Sequence, residues 1–428
     1  MTDVRVPDEI AATVITPKAY AEDTPVHEAF RWLRANNPLG RAELEGFAPF
    51  WITTKHADIL EVSRQNALFH NGDVATTLTS LDADAKVRQM TGGSPHLVRS
   101  LVQMDAPDHP KYRVLTQSWF LPQNIRSLET RIRAIAREHV DRMAELGGTC
   151  DFVGDVALTF PLRVIMEILG VPEADMPRML RLTQELFGAT DPELNRSHDD
   201  IAERKGADLT DIQATLADFF MYFKSITDAR KAEPTADLST VIANGQIDGA
   251  PINDFEAMCY YVIVATAGHD TTSSSTAGAA WGMCEFPEAF AKVKADPALI
   301  SGLVDESIRW TTPVKHFMRS ATEDTELRGR RIAKGDWLML CYPSGNRDEE
   351  VFDTPDAFRP ERSPNKHLAF GYGAHLCLGQ HLAKMEMRIL WEELLPRLKS
   401  LEFNGKPTRA EANFVGGPKR LPIRYELA

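Results

Sequence analysis

Paired cysteines are absent from this sequence. Its five cysteines, Cys150, Cys259, Cys284, Cys341 and Cys377, are far apart, odd in number and without a C-x-x-C pair, so neither a zinc site nor a disulfide scaffold is indicated. A reducing compartment is the simplest setting. Long apolar runs are missing too: the longest, around Met258 to Gly268, is too short to span a bilayer. Met1 to Pro17 carries Asp3, Arg5, Asp8 and Glu9 with no apolar centre, which excludes a signal peptide or membrane anchor there. We therefore expect a cytoplasmic protein with no membrane partner. Basic residues are outnumbered, 48 Lys+Arg against 61 Asp+Glu, and the formal charge of −13 argues against nucleic acid as a partner. No Gly/Ser linker, low-complexity tract or internal repeat interrupts the chain. Its 428 residues are expected to form one domain, 1–428, with 43% apolar content available for a large core.

What is present centres on Phe370-Gly371-Tyr372-Gly373-Ala374-His375-Leu376-Cys377-Leu378-Gly379. Leu378, Leu382, Met385 and Ile389 then recur at helical spacing until Pro396, which predicts an amphipathic helix beginning near Cys377. At a helix N-terminus the unpaired N–H groups and the dipole favour a thiolate, and glycines let backbone approach something flat and bulky. A metal-bound thiolate suits that setting.

A second long pattern begins where Asn253 and Glu256 have capping-box spacing and ends at Pro287. Its centre, Ala267-Gly268-His269-Asp270-Thr271-Thr272-Ser273-Ser274-Ser275-Thr276, is a poor helix former, since glycine costs up to about 1 kcal/mol and hydroxyls compete for backbone groups. A turn widened to admit ligand or water is one reason for such a centre. His269 reads equally well as a satisfied polar residue.

Elsewhere, Phe50 to Thr53 reads as a short strand before a helical pattern at Ala57, Ile59, Leu60 and Val62, and Gly72 to Arg99 as a long irregular loop. Pro110 is placed as a first helical residue, leaving His109 and Arg113 one turn apart and able to face one anion. Ile125 to Met143, Phe160 to Leu169 and Leu180 to Phe187 are helical patterns, and Asp191 to Asp208 is a polar, weakly structured stretch. Glu306 and Arg309 can pair at i, i+3. Pro313 to Leu340 is rich in strand signals, with Lys334-Gly335-Asp336 as a turn.

The decapeptide ending at Gly379 resembles the haem-ligand signature of the cytochromes P450, with Phe, Gly, Gly, His, Cys and Gly at that family's spacings. The likeness extends in order along the chain: His109-x-x-x-Arg113, the Ala267 to Thr272 segment, Glu306-x-x-Arg309, and Arg362 in Arg359-Pro360-Glu361-Arg362, where Ser363 stands in place of the usual Phe. The resemblance implies a mainly α fold with small β-sheet regions around a buried haem b. Cys377 would be the axial thiolate and metal ligand, and His109, Arg113, Arg319 and His375 would hold the haem, the first three through its propionates. Thr271 would hydrogen-bond dioxygen and Asp270 would help deliver protons. Glu306, Arg309 and Arg362 would fix the loop that carries Cys377.

It further implies a substrate pocket from Ile263, Val264, Ala267, Val314, Phe317, Met318, Phe414 and Val415, with the Gly72 to Arg99 loop and the polar stretch after Asp191 above it. Lys111, Arg113 and Lys384 would lie near the thiolate, where a positive patch, with Lys111 and Lys384 as its surface residues, suits an acidic electron donor. The implied activity is a monooxygenase using O2 and two electrons from NAD(P)H through a reductase and a 2Fe–2S ferredoxin. Several segments look most like the bacterial terpineol-hydroxylating branch, which implies a monocyclic terpene or a similar alicyclic or alkyl-aromatic substrate. A haem-thiolate sensor, or another haem protein that is not a monooxygenase, would need Cys377 but not Asp270 and Thr271. A cysteine hydrolase would use Cys377 with a histidine base such as His375.

Overall fold

The computed structural model describes residues 4–197 and 208–428. Its axis is one helix, Asp254–Glu285, whose 32 residues span about 48 Å. Asn253 caps it: the side-chain oxygen accepts the Glu256 N–H at 2.9 Å while its amide reaches the Glu256 carboxylate at 2.6 Å. Pro287 opens the next helix. The polar centre stays α-helical throughout, so the widened turn is not seen. Hydroxyls there bond back to carbonyls one turn earlier, Thr266 to Val262, Thr271 to Ala267, Ser273 to His269 and Ser275 to Thr271. Gly268 has a packing reason, because a Cβ there would come within 2.9 Å of Ile165 Cδ1 on a neighbouring helix.

Helices packed on this axis include Thr159–Leu169, Leu209–Ala232, Ile300–Thr311 and Gln380–Leu394. Phe160, Phe223, Tyr261, Leu303, Ile389 and Trp391 join in one apolar core, each such side chain contributing about 1.5–3 kcal/mol by leaving water. The principal sheet has five short strands in the order Leu39–Ala42, Phe50–Thr53, Trp337–Cys341, His316–Ala321, Phe69–His70. Only the Phe50–Thr53 and Trp337–Cys341 pair is parallel. Gly335, at φ +84°, makes the expected turn before Trp337–Cys341. The architecture is thus mainly α with small sheets, as the sequence led us to expect. Among the described residues no helix is long and apolar enough to cross a membrane.

Three local expectations are corrected. The Gly72 to Arg99 region contains a helix, Leu81–Thr91, capped by Ser80 and ended by Gly92 at φ +70°. Only Val87 on it is buried, so it shows no apolar stripe and its caps were its only signal. The helix of His109 starts at Asp108, and Pro110 stands inside its first turn, where an N–H has no helical partner to lose. Within the polar stretch, residues 198–207 lie outside the described residues, but its start is firmly tied. The fully buried Asp191 carboxylate accepts the Glu411 N–H at 2.9 Å and the Lys419 ammonium at 3.0 Å.

Candidate active site

Cys377 is delivered by a glycine-bent loop. Gly371 and Gly373 lie at φ +68° and +72°, and a Cβ on Gly373 would come within 2.2 Å of the Ser63 carbonyl. The Cys377 N–H closes the loop on the Phe370 carbonyl at 2.9 Å. The helix proper begins at Gln380, with Gly379 as its N-cap, rather than at Cys377. The reason is local: the Gly379 and Gln380 N–H groups point back at the Cys377 sulfur. Burial pushes the Cys377 thiol up, and those two N–H groups and Arg113 pull against it. The sulfur is thus prepared for a cation.

Beside it the fold gathers two arginines and two imidazoles, and among the described residues no carboxylate pairs with either arginine. The His109 and His375 rings lie 4.2 Å apart, Arg113 donates to the Leu376 carbonyl at 2.8 Å, and Arg319 donates to the Met318 carbonyl at 2.8 Å. His109 Nε2 is buried without a hydrogen-bond partner. Burial, followed by Arg319, His109 and Arg113, drives His375 down to about 2. Asp105, the acid that acts on His109 and Arg319, is committed to the N–H groups of Asn71 and Gly72. An orphaned buried imidazole and two unpaired guanidiniums fit a ligand carrying carboxylates.

The central helix supplies the opposite wall. Along its middle Ala267 is exposed and Ile263, Val264, Asp270, Thr271 and Ser274 are only partly covered, while Ala265, Thr266, His269, Thr272 and Ser273 between them are buried. That spacing is one helical stripe, left open for a ligand. The Thr271 hydroxyl donates to Ala267 at 2.8 Å, so it offers only a lone pair to the cavity. Asp270 Oδ2 is buried and lacks a hydrogen-bond partner, lying 3.3 Å from His269 Nδ1. His269 is satisfied: Nε2 lies 2.9 Å from the Leu158 carbonyl and Nδ1 2.9 Å from the Thr183 hydroxyl. A cavity of about 80 Å³ touches Asp270 and continues past Gln184, Ser273 and Ser274 to Lys419.

Of the expected pocket residues, Phe317 and Phe414 stack edge-on with centroids 5.4 Å apart, and Val314 bridges Val415. Met318 is corrected. It is fully buried among Phe50, Ile52 and Trp337 in the core beneath the N-terminal helices, because strand alternation turns it to the face opposite Phe317 and Arg319. Glu306, Arg309 and Arg362 do come together. Arg309 grips both Glu306 oxygens at 2.7 and 2.8 Å, and Arg362 reaches the same carboxylate at 3.1 Å. Both arginines also donate to carbonyls from residues 353–357. Lys111 and Lys384 are not free charges; they pair with Asp248 at 2.5 Å and with Asp305 at 2.7 Å.

Glu386 escaped the sequence reading. Nine residues after Cys377, it is fully buried against Thr272 of the central helix, and burial raises its carboxyl well above the usual range. A signal existed: Glu386 falls between Leu382 and Ile389 on the apolar face of its helix.

A half-buried cysteine under a helix N-terminus, two arginines without carboxylate partners beside two imidazoles, and a partly open stripe on the central helix are what a haem-thiolate protein requires. The chain belongs to the cytochrome P450 family, whose family model matches residues 78–423, and it is a P450 monooxygenase, with haem b and a cysteine thiolate as that family's cofactor arrangement. It is 50% identical to cytochrome P450-terp of a Pseudomonas species, over 99% of both chains. It is 31% identical to linalool 8-monooxygenase of Pseudomonas putida, over 95% of this chain and 97% of that one. The crystal structure of CYP108D1 from Novosphingobium aromaticivorans superposes with a TM-score of 0.90 at 46% identity, over 99% of this chain and 100% of that one.

Proposed function

We propose that the protein hydroxylates a small hydrophobic substrate, a monocyclic terpene or a similar alicyclic or alkyl-aromatic compound, with electrons from NAD(P)H delivered through a reductase and a 2Fe–2S ferredoxin. The observation that carries this reading is the partly covered stripe on the central helix, apolar at Ile263, Val264 and Ala267 and polar only at Asp270, Thr271 and Ser274. Such a wall orients an apolar molecule beside one proton source. The names of two relatives, P450-terp and linalool 8-monooxygenase, support a terpene.

In this reading the Cys377 thiolate would bind the haem iron and His109, Arg113, Arg319 and His375 would hold the haem, which when bound supplies the oxygen-activating chemistry. The residues then govern protons and position. Asp270, with Oδ2 unpartnered and its side chain in the wall of that cavity, takes a proton arriving along Gln184, Ser273 and Ser274. Thr271, its own proton committed to Ala267, holds a proton-bearing partner by its lone pair. Phe317, Phe414, Val314 and Val415 close the apolar side and keep water away from the substrate. Glu306, Arg309 and Arg362 fix the chain that leads into the Cys377 loop. The ferredoxin would dock near Lys111 and Lys384, and charge reversal at Lys384 is expected to slow electron transfer.

Titration of the purified haem protein with α-terpineol, p-cymene and phenylcyclohexane tests the substrate class. A saturable blue shift of the Soret band with one of them supports the assignment, and a spectrum that none of them moves removes it. Thr271→Ala is expected to consume NAD(P)H while releasing peroxide. Unchanged product per NAD(P)H would contradict the proton relay.

A further inference from the structure

Away from the active site, beyond the Thr271 turn by about 15 Å along the central helix, a second cavity of about 30 Å³ lies under Trp281. It is lined by Asp23, His27, Thr311, Lys315, Arg347 and Arg409, which come from the N-terminal helices, the end of the Ile300–Thr311 helix and the C-terminal segments. Arg409 stacks on Trp281 at 4.0 Å and faces Trp310 at 6.0 Å.

Positive charge is in excess here. Lys315, Arg347 and Arg409 meet one carboxylate in the wall, the partly exposed Asp23, which lies 3.3 Å from Arg409 Nη2 and 3.3 Å from His27 Nε2. The other nearby acid, Asp356, is half exposed, 3.5 Å from Arg347, and shared with Arg31. Lys315 spends its ammonium on the Thr311 and Thr312 carbonyls at 3.1 and 2.8 Å, and Arg347 donates to the Trp310 carbonyl at 2.9 Å. None of those carbonyls cancels a charge. Two polar atoms in the wall, the Thr311 hydroxyl and His27 Nδ1, are buried with no hydrogen-bond partner. Asp23 itself is held at φ +67°, a strained conformation for a residue with a side chain.

We propose that this cavity binds one small monovalent anion, of which chloride is the type, held by Lys315, Arg347 and Arg409 with the Thr311 hydroxyl as a further donor. The volume suits one monatomic ion with a water. Asp23 offsets one of the three positive charges and a monovalent anion offsets another, leaving the third to the half-exposed Asp356. Burial foremost, then Arg347 and Arg409, pushes the Lys315 ammonium down to about 7, with Asp23 opposing. An anion beside these groups relieves that repulsion. By joining the N-terminal helices to the C-terminal segment, the ion stabilises the fold independently of the catalytic reading.

The test uses the haem-loaded protein, with thermal unfolding followed by circular dichroism in sodium chloride, sodium bromide and sodium gluconate at equal ionic strength. Crystals soaked in sodium bromide provide an anomalous map. The expected result is a Tm about 2 °C higher in either halide than in gluconate, abolished in Arg409→Met and Lys315→Met, with a bromide peak among Lys315, Arg347 and Arg409. Equal Tm values in all three salts and a cavity holding only water would overturn the proposal. So would a halide effect that both variants retain. Should the variants fail to fold, the anomalous map of the unaltered protein decides.

Discussion

The imidazole rings of His109 and His375 lie 4.2 Å apart, brought together from the helix that begins at Asp108 and the loop that ends at Cys377, with Arg113 and Arg319 beside them and no carboxylate paired to any of the four among the described residues. Burial lowers both imidazoles, so the charge of this cluster is that of its two guanidiniums. In the proposed reading, the haem carboxylates would meet it.

Arg319→Met is therefore expected to act in opposite directions on the two forms. Charge-assisted hydrogen bonds contribute about 1.5–3 kcal/mol each, so haem should be lost roughly 10- to 150-fold more readily to a haem-scavenging protein. The haem-free protein, relieved of a buried unpaired guanidinium, should melt at the same temperature or higher. A variant less stable in both forms would mean that Arg319 is only structural.

Glu306 and Arg309 are both fully buried. Removing one member of a buried pair costs about 3–5 kcal/mol because the other charge is left uncompensated. Glu306→Gln should lower the unfolding free energy measured in urea by that amount and weaken haem retention, since Arg309 and Arg362 also hold the chain at residues 353–357 leading to Cys377.

His316 joins two segments beside the pocket. Its Nε2 accepts the Leu78 N–H at 3.0 Å and its Nδ1 donates to the Asn413 carbonyl at 2.8 Å. Burial lowers it to about 4. The folded state thus resists a proton that the unfolded chain binds from about pH 6.5 downward. Its stabilisation is fully present above pH 6.5 and is lost as pH falls towards 4, by about 3 kcal/mol. His316→Gln, which can accept and donate at similar points, should flatten that part of the stability profile measured by urea unfolding between pH 7 and 4.5.

Glu386 works with the opposite sign. Burial raises its carboxyl, so the folded state holds a proton that the unfolded chain releases above about pH 4.3. Stability therefore declines as pH rises from there through the folded value. Glu386→Gln keeps the shape without an ionisable proton and should make the protein more stable than the unaltered chain at pH 8, with the two converging near pH 4.

Gly373→Ala should be poorly tolerated. The new Cβ would meet the Ser63 carbonyl at 2.2 Å in a backbone at φ +72°. We expect a lower haem content and a shifted Soret band, because the loop must move and Cys377 moves with it.

Much of this molecule was determined locally. The turn at Gly371 and Gly373, the Asn253 cap, the hydroxyl-rich centre of the long helix and the approach of Glu306 to Arg309 depend on residues within a few positions of one another. Such features fix backbone angles and shared helix faces whatever the rest of the chain does. The decapeptide before Gly379 and the Asp270-Thr271 pair could accordingly be read before any fold was known. Tertiary structure decided the remainder. Met318 belongs to the core because a strand has two faces and only its neighbours say which is covered. Lys384 is neutralised by Asp305, and Arg409 meets Asp23, across long stretches of sequence. Charge partners and buried acids such as Glu386 depend on which distant surfaces meet, and no local pattern carries that information.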